Sequence, residues 1–225
     1  MGVPPGRKLL RFDRKFGARF VAGADEAGRG SLAGPLVVAG VLLDYARLRN
    51  HRVRPLALLN DSKQVSAATR EELFRRVVSC AERISLHVIS PGRIDENGLH
   101  RSNLDGLVAA LAALSPPAEA CLVDGFRLGP RAPAHVAVVD GDQKSAAIAA
   151  ASIVAKVVRD RLMRRMDGLY PRYGFASHVG YITPVHSAKV RERGPSRIHR
   201  RSFQALCYLS EEELREIRPE LAALP

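Results

Sequence analysis

Residues 23–35 read "GADEAGRGSLAGP", and they continue the apolar run "RFVA" of residues 19–22 without a break. The run predicts a buried strand whose end carries Asp25 and Glu26, directly before Gly28, Arg29 and Gly30. Neighbouring side chains of a strand point to opposite faces, so a strand-end kink or a shared cation is needed to bring both carboxylates to one place. In a chain of formal charge +12, acids set there call for a reason.

The pattern recurs downstream. "LVVAGVLL" (36–43), "RISLHVIS" (83–90), "ACLVDG" (120–125) and "HVAVVDGD" (135–142) are runs rich in Val, Ile and Leu, several nearly continuous as in buried sheets, and they predict one central sheet. Two of them also end on acids, Asp124 and Asp142. Helical periodicity predicts helices over 66–82, 95–114, 145–166, 183–193 and 210–221. Ser66 suits an N-cap, Thr183 precedes Pro184 with Gly194 as the stop, and Ser210 with Glu213 makes a capping box. The order of elements indicates an α/β layer followed by a helical C-terminal portion, at about 171–225. One domain over 19–225 is expected, preceded by a basic arm at 1–18.

With 225 residues, 46% of them apolar and 26% charged, the chain is long enough for one domain with a real core. Its composition excludes collagen-like and disordered classes. The longest low-charge run, "SAAIAAASIVAKVV" (145–158), carries Lys156 and falls short of a membrane span. The first residues carry no apolar signal core, so a cytoplasmic address is expected. Cys80, Cys121 and Cys207 lie far apart with no C-x-x-C pair, which fits core thiols in a reducing compartment. The net charge favours a polyanionic partner, because Lys and Arg release counterions on meeting phosphates; an Arg-rich lineage would give the same total.

Acids ending several buried strands converge at one edge of a sheet, which is costly unless cations neutralise them. Mg²⁺ or Mn²⁺, held by a few carboxylates with water and phosphate oxygens completing the shell, is the usual solution at phosphoryl-transfer sites. The plainer alternatives are turn chemistry for Asp124 before Gly125, and a capping role for Asp25 and Glu26. Lys63 of "DSK" and Lys144 and Ser145 of "QKS" offer groups for phosphate near such a site, though solvated Lys is the commoner case. The run "RERGPSRIHRR" (191–201) either follows a duplex backbone or forms a solvated face. His178, His186 and His199 lack zinc spacing and are read as structural or substrate-proximal. Asp160, four residues after Lys156, is read as an ion pair.

"DEAGRGSLAGP" closely resembles the "DEAGRGPLAGP" motif of the type 2 ribonucleases H, the ribonuclease HII family. "NDSKQVSAATREELF", "ISPGRIDENGLHRSNLDGLVAAL", "LVDG", "GDQKSAAIAAASIVAKVVRDRLM" and "YPRYGFASHVGYITPVHSAKVRERGPSRIHRRSF" match further family segments in order, from about Phe20 to Phe203. The resemblance implies a ribonuclease H-like fold, a mixed five-stranded sheet flanked by helices with a helical C-terminal extension. It implies that Asp25, Glu26, Asp124 and Asp142 bind two metal ions, Mg²⁺ or Mn²⁺, and are catalytic. The reaction implied is hydrolysis of the RNA strand of RNA/DNA hybrids, with incision at a single ribonucleotide in duplex DNA, leaving a 3′-hydroxyl and a 5′-phosphate.

Selecting RNA requires sensing the 2′-hydroxyl. Gly28 and Gly30 let peptide groups approach a sugar edge, and Arg29 adds charge toward phosphate. In the family this element works with a Tyr of the "GY.T..H" segment, here Tyr181, whose ring can stack at the ribonucleotide. Three positions depart from the pattern: Ser31 for Pro, Val179 for Lys, and Asp140 for Lys. All four acids are present, so an active, monomeric enzyme with no membrane partner is expected. Ribonuclease HIII carries a sizeable extra N-terminal domain and only 24 residues precede Asp25, which argues against it. A non-catalytic hybrid-binding module fits the charge but not the four acids.

Overall fold

The structure is a computed structural model that describes residues 4–48, 56–59, 62, 65–210 and 213. Five strands, β1 (Phe20–Ala27), β2 (Leu36–Asp44), β3 (Arg83–Ile89), β4 (Ala120–Asp124) and β5 (His135–Val138), form one mixed sheet in the order β3-β2-β1-β4-β5. Each coincides with an apolar run read as a strand. β1 runs antiparallel to β2 and parallel to β4; β2 and β3 are antiparallel, and β4 and β5 parallel.

Seven α-helices appear among the described residues: α1 (Pro5–Arg14), α2 (Ala67–Cys80), α3 (Pro91–Asn97), α4 (Leu99–Ala112), α5 (Ala146–Leu169), α6 (Phe175–His178) and α7 (Pro184–Arg193). The expected caps operate. Ser66 accepts from the Thr69 N–H, Ser145 from Ile148 and Thr183 from His186. Where one helix is expected over 95–114 there are two, because Gly98 adopts φ +78° and ends α3 before α4 begins. Ser210 and Glu213 exchange the reciprocal bonds of a capping box, whereas the rest of the helix expected over 210–221 lies outside the described residues.

The sheet is covered on both faces. Val21, Val37, Ala39, Val41 and Leu43 pack with the Ala-rich first half of α5, and Ala22, Ala24, Leu36, Val38 and Leu42 pack with Leu107, Ala110 and Leu111 of α4. Small residues on α5 let the helix lie close to the strands. A Cβ on Gly23 of β1 would come within 2.1 Å of the Ala147 carbonyl carbon.

The segment expected to be a basic arm is instead helix α1, with Leu9 and Leu10 buried in the α5 layer. Asp13, fully buried, accepts from the Ala147 N–H at 2.9 Å and from the Tyr45 hydroxyl at 2.7 Å. A carboxylate at the α5 N-terminus complements the exposed peptide N–H groups there. Charge counting along 1–18 could not reveal this, since the basic side chains of α1 face outward while its apolar stripe does the docking.

Candidate active site

The last pair of the β1–β4 ladder sets Ala24 opposite Val123, so Asp25 and Asp124 follow side by side on neighbouring parallel strands. Asp25 is 5% exposed, and its Oδ1 accepts from the Glu26 N–H at 2.7 Å. Strand alternation turns Asp25 toward α5 and Glu26 toward the α4 face. β1 keeps its register with β2 through Ala27, so the strand runs without a kink through both acids. Asp124 ends β4, and its Oδ1 accepts from the Gly141 N–H at 2.6 Å. That bond ties it to the turn Gly141–Gln143, where Asp142 is buried just before α5.

Burial pushes the Asp25 carboxyl well above the usual carboxylate range, and the negative charges of Glu26 and Asp124 push it further; the Ser152 hydroxyl and the Glu26 N–H oppose them. A buried acid raised by neighbouring acids is an environment that cations would relieve. No three His, Cys, Asp or Glu side chains among the described residues are gathered tightly enough to hold a metal ion by themselves. Hard divalent cations commonly keep several waters and share their shell with substrate phosphates, so the donor set fits a cation completed by water and phosphate.

Ser152, on α5, also meets the Ser62 hydroxyl at 2.9 Å. Ser62 belongs to the "DSK" stretch, and its carbonyl accepts from Arg70 Nε at 2.7 Å. Lys63 itself lies outside the described residues. Lys144 is exposed beside Asp142, and its Nζ donates to the Val139 carbonyl at 2.6 Å. Ser145, expected to offer its hydroxyl to a phosphate, is fully buried; its oxygen accepts from the Ile148 N–H as the N-cap of α5, and its hydroxyl bonds the Asp13 carboxyl. Lys156 and Asp160 form the expected ion pair at 2.8 Å, with Arg70 close by at 3.8 Å.

Beyond β1 the loop 28–35 leads from the strand end that carries Asp25 and Glu26 to β2. Arg29 and Gly30 are exposed, and the Arg29 guanidinium lies 4.9 Å over the Phe126 ring just past β4. Ser31 forms a bridge to Tyr181 and Ala33 one to His199, which joins the Gly-Arg-Gly element to the Tyr181 turn. The Tyr181 ring has Lys156 Nζ at 4.8 Å and Arg159 Cζ at 5.2 Å over it. Ser31 is fully buried, and its N–H donates to the Gly28 carbonyl at 3.3 Å, a bond that Pro could not make. Val179 sits at φ +43° with its side chain in a small core of Ala33, Met163 and Phe175, rather than facing a substrate. Asp140 is exposed at φ +52° at the start of the Asp142 turn.

One pair of buried cations went unread in the sequence. Arg159 and Arg200, both fully buried, hold the loop by its carbonyls. Arg200 belongs to a basic run in which Arg191, Arg197 and Arg201 are exposed, so nothing in the sequence marks it as inward. The three histidines, read as structural or substrate-proximal, lie together. Ser196 N–H donates to His199 Nδ1 at 2.9 Å, the Nε2 atoms of His199 and His186 meet at 3.0 Å, and His186 Nδ1 lies 2.9 Å from the Tyr181 carbonyl. Since a carbonyl only accepts, His186 must carry its proton on Nδ1, which leaves His199 to donate from Nε2. His178 stacks on His186 at 4.1 Å.

A profile described as Ribonuclease HII matches residues 22–206. The chain is 48% identical over 206 residues to a ribonuclease HII of Rhizobium johnstonii, covering 91% of this chain and 86% of the relative. Among solved structures it is similar to the ribonuclease H2 of Pyrococcus horikoshii, with TM-score 0.70 and 25% identity over 91% of this chain and 100% of that one. It is also similar to the ribonuclease HII in a PCNA complex from Archaeoglobus fulgidus, with TM-score 0.67 and 28% identity over 86% of this chain and 99% of that one.

Proposed function

The chain belongs to the ribonuclease HII family of metal-dependent hydrolases that cut RNA/DNA hybrids, and from that premise we propose that it also incises duplex DNA at a single embedded ribonucleotide, leaving a 3′-hydroxyl and a 5′-phosphate. The observation that carries the reading is that Asp25 and Asp124 end neighbouring parallel strands side by side, with the turn that holds Asp142 bonded to Asp124 through the Gly141 N–H and the Gly-Arg-Gly loop bridged to the Tyr181 turn.

Asp25, Glu26, Asp124 and Asp142 would hold two Mg²⁺ or Mn²⁺ ions. When bound, such ions supply activation of an attacking water and charge stabilisation of the departing 3′ oxygen. The protein's part is orientation. The Gly141 N–H fixes one Asp124 oxygen and the Glu26 N–H one Asp25 oxygen, so each carboxylate presents a defined remaining lone-pair direction. Burial of Asp25 excludes competing water. Exposed Arg29 and Lys144 supply positive charge for the phosphates on either side of the site, and the Tyr181 ring supplies a stacking face for the nucleotide.

The test is incubation of the protein with a duplex carrying one ribonucleotide and with the all-DNA duplex, in Mg²⁺, in Mn²⁺ and in chelator. Cleavage of the first alone, and only with metal, is expected. Equal cutting of both duplexes, or none with either metal, would sink the reading.

A further inference from the structure

Neither buried guanidinium has a carboxylate hydrogen-bond partner among the described residues. Arg159 donates from Nε to the Pro35 carbonyl at 2.9 Å, from Nη1 to Val179 at 2.9 Å and from Nη2 to Ala33 at 3.1 Å. Arg200 donates from Nε to the Gly34 carbonyl at 3.0 Å and from Nη1 to that of Arg29 at 2.9 Å, and its own backbone N–H donates to the Leu32 carbonyl at 2.9 Å. One residue therefore grips the loop at positions 29, 32 and 34. Arg200 Nη2 is buried without a hydrogen bond. Taking a guanidinium out of water is costly, the more so with one donor unsatisfied, so satisfaction of the side chain itself does not explain its placement.

The bond to Arg29 fixes one particular peptide. The Arg29–Gly30 unit is trans, so its C=O and N–H point in opposite directions. With the carbonyl drawn inward onto Arg200, the Gly30 N–H points outward. Gly30 is exposed, a Cβ built on it meets nothing within 4 Å, and its N–H donates to no acceptor among the described residues. A positively charged donor on the carbonyl also polarises the peptide and strengthens the N–H as a donor. A ribose 2′-hydroxyl accepts such a bond, and a deoxyribose has nothing there to do so.

We propose that Arg200 is a positioning residue for ribonucleotide selection, acting through the Arg29 carbonyl to aim the Gly30 N–H at the ribose 2′-hydroxyl. The proposal rests on the reading that the substrate contains a ribonucleotide. Arg159 braces the other side of the loop, between Gly28 and the Tyr181 turn. A lysine at 200 keeps the charge but has no planar fork to span two fixed carbonyls.

The decisive comparison is Arg200→Lys against the wild type, with affinities measured in chelator for two duplexes that differ by one ribonucleotide. The variant should lose about tenfold of the preference for the ribonucleotide duplex, while its affinity for the all-DNA duplex stays unchanged. A folded variant with undiminished preference overturns the proposal, as does an equal loss for both duplexes. Amide hydrogen exchange at Gly30 in the wild type is independent of any variant's folding. The ribonucleotide duplex should slow it and the all-DNA duplex should not; slowing by both alike, or by neither, overturns the proposal. Wild-type protein that cleaves neither duplex counts against the functional reading, whereas wild-type cleavage with an unaltered preference in Arg200→Lys counts against the role of Arg200 alone.

Discussion

At Gly28 a Cβ would sit 1.8 Å from Arg159 Nε, with φ at +89°, whereas at Gly30 nothing lies within 4 Å. Arg159 cannot retreat, because three carbonyls hold its guanidinium. Gly28→Ala is therefore expected to destabilise the protein by about 2–4 kcal/mol in a denaturant titration. Gly30→Ala should change stability by less than about 0.5 kcal/mol and show its effect in cleavage of the ribonucleotide duplex. The sequence presents both glycines as means of close approach to a sugar, and it could not distinguish them, since the guanidinium that fills the space at Gly28 comes from a position 131 residues further along. Asp124→Asn keeps an oxygen to accept from the Gly141 N–H. It should lower single-turnover cleavage by roughly 100-fold or more while leaving duplex binding and the thermal midpoint nearly unchanged; a large loss of binding would make Asp124 structural.

At the scale of elements, the histidine chain ties the His199 segment to α7 and, through the Tyr181 carbonyl, to the turn before it. Burial is the main force that lowers His186 and His199 to about 4 from an ordinary value of 6.5. Between about pH 6.5 and 4 the unfolded chain takes up protons at these rings and the folded protein does not, so their contribution to stability falls as the pH falls. Asp13 runs the other way. Burial raises it to about 6 from 3.8, so the folded state gains a proton first and its share rises as the pH drops through 6. Denaturant titrations of the wild type and His199→Asn across that range should differ by about half of the two rings' share of the slope, with stability falling less towards low pH in the variant, because one of the two rings then no longer titrates and the buried carboxyls act alike in both proteins. An unchanged slope would mean that the rings do not govern acid stability. Strands were legible at this scale because apolar runs of four to nine residues mark them, and caps because Ser and Thr sit at local sequence signals. Helix α1 was not, because its docking depends on Leu9, Leu10 and a buried Asp13 meeting α5, over a hundred residues away.

For the whole molecule, +12 of formal charge and exposed Arg191, Arg197 and Arg201 near the Tyr181 side predict binding dominated by phosphates. Affinity for an all-DNA duplex should fall at least roughly 100-fold between about 50 and 200 mM salt, read by fluorescence anisotropy. A flat salt response would remove the basic run from the interface. The apolar runs and the acids near their ends marked the five strands and the candidate carboxylates Asp25, Asp124 and Asp142, because strand periodicity and strand-end chemistry are local properties of a chain. Tertiary structure alone decided which cations face the solvent and which are buried under the loop, and which glycine faces open space. Those outcomes depend on distances between residues far apart in sequence, and a guanidinium has the same letter whether water or three carbonyls surround it.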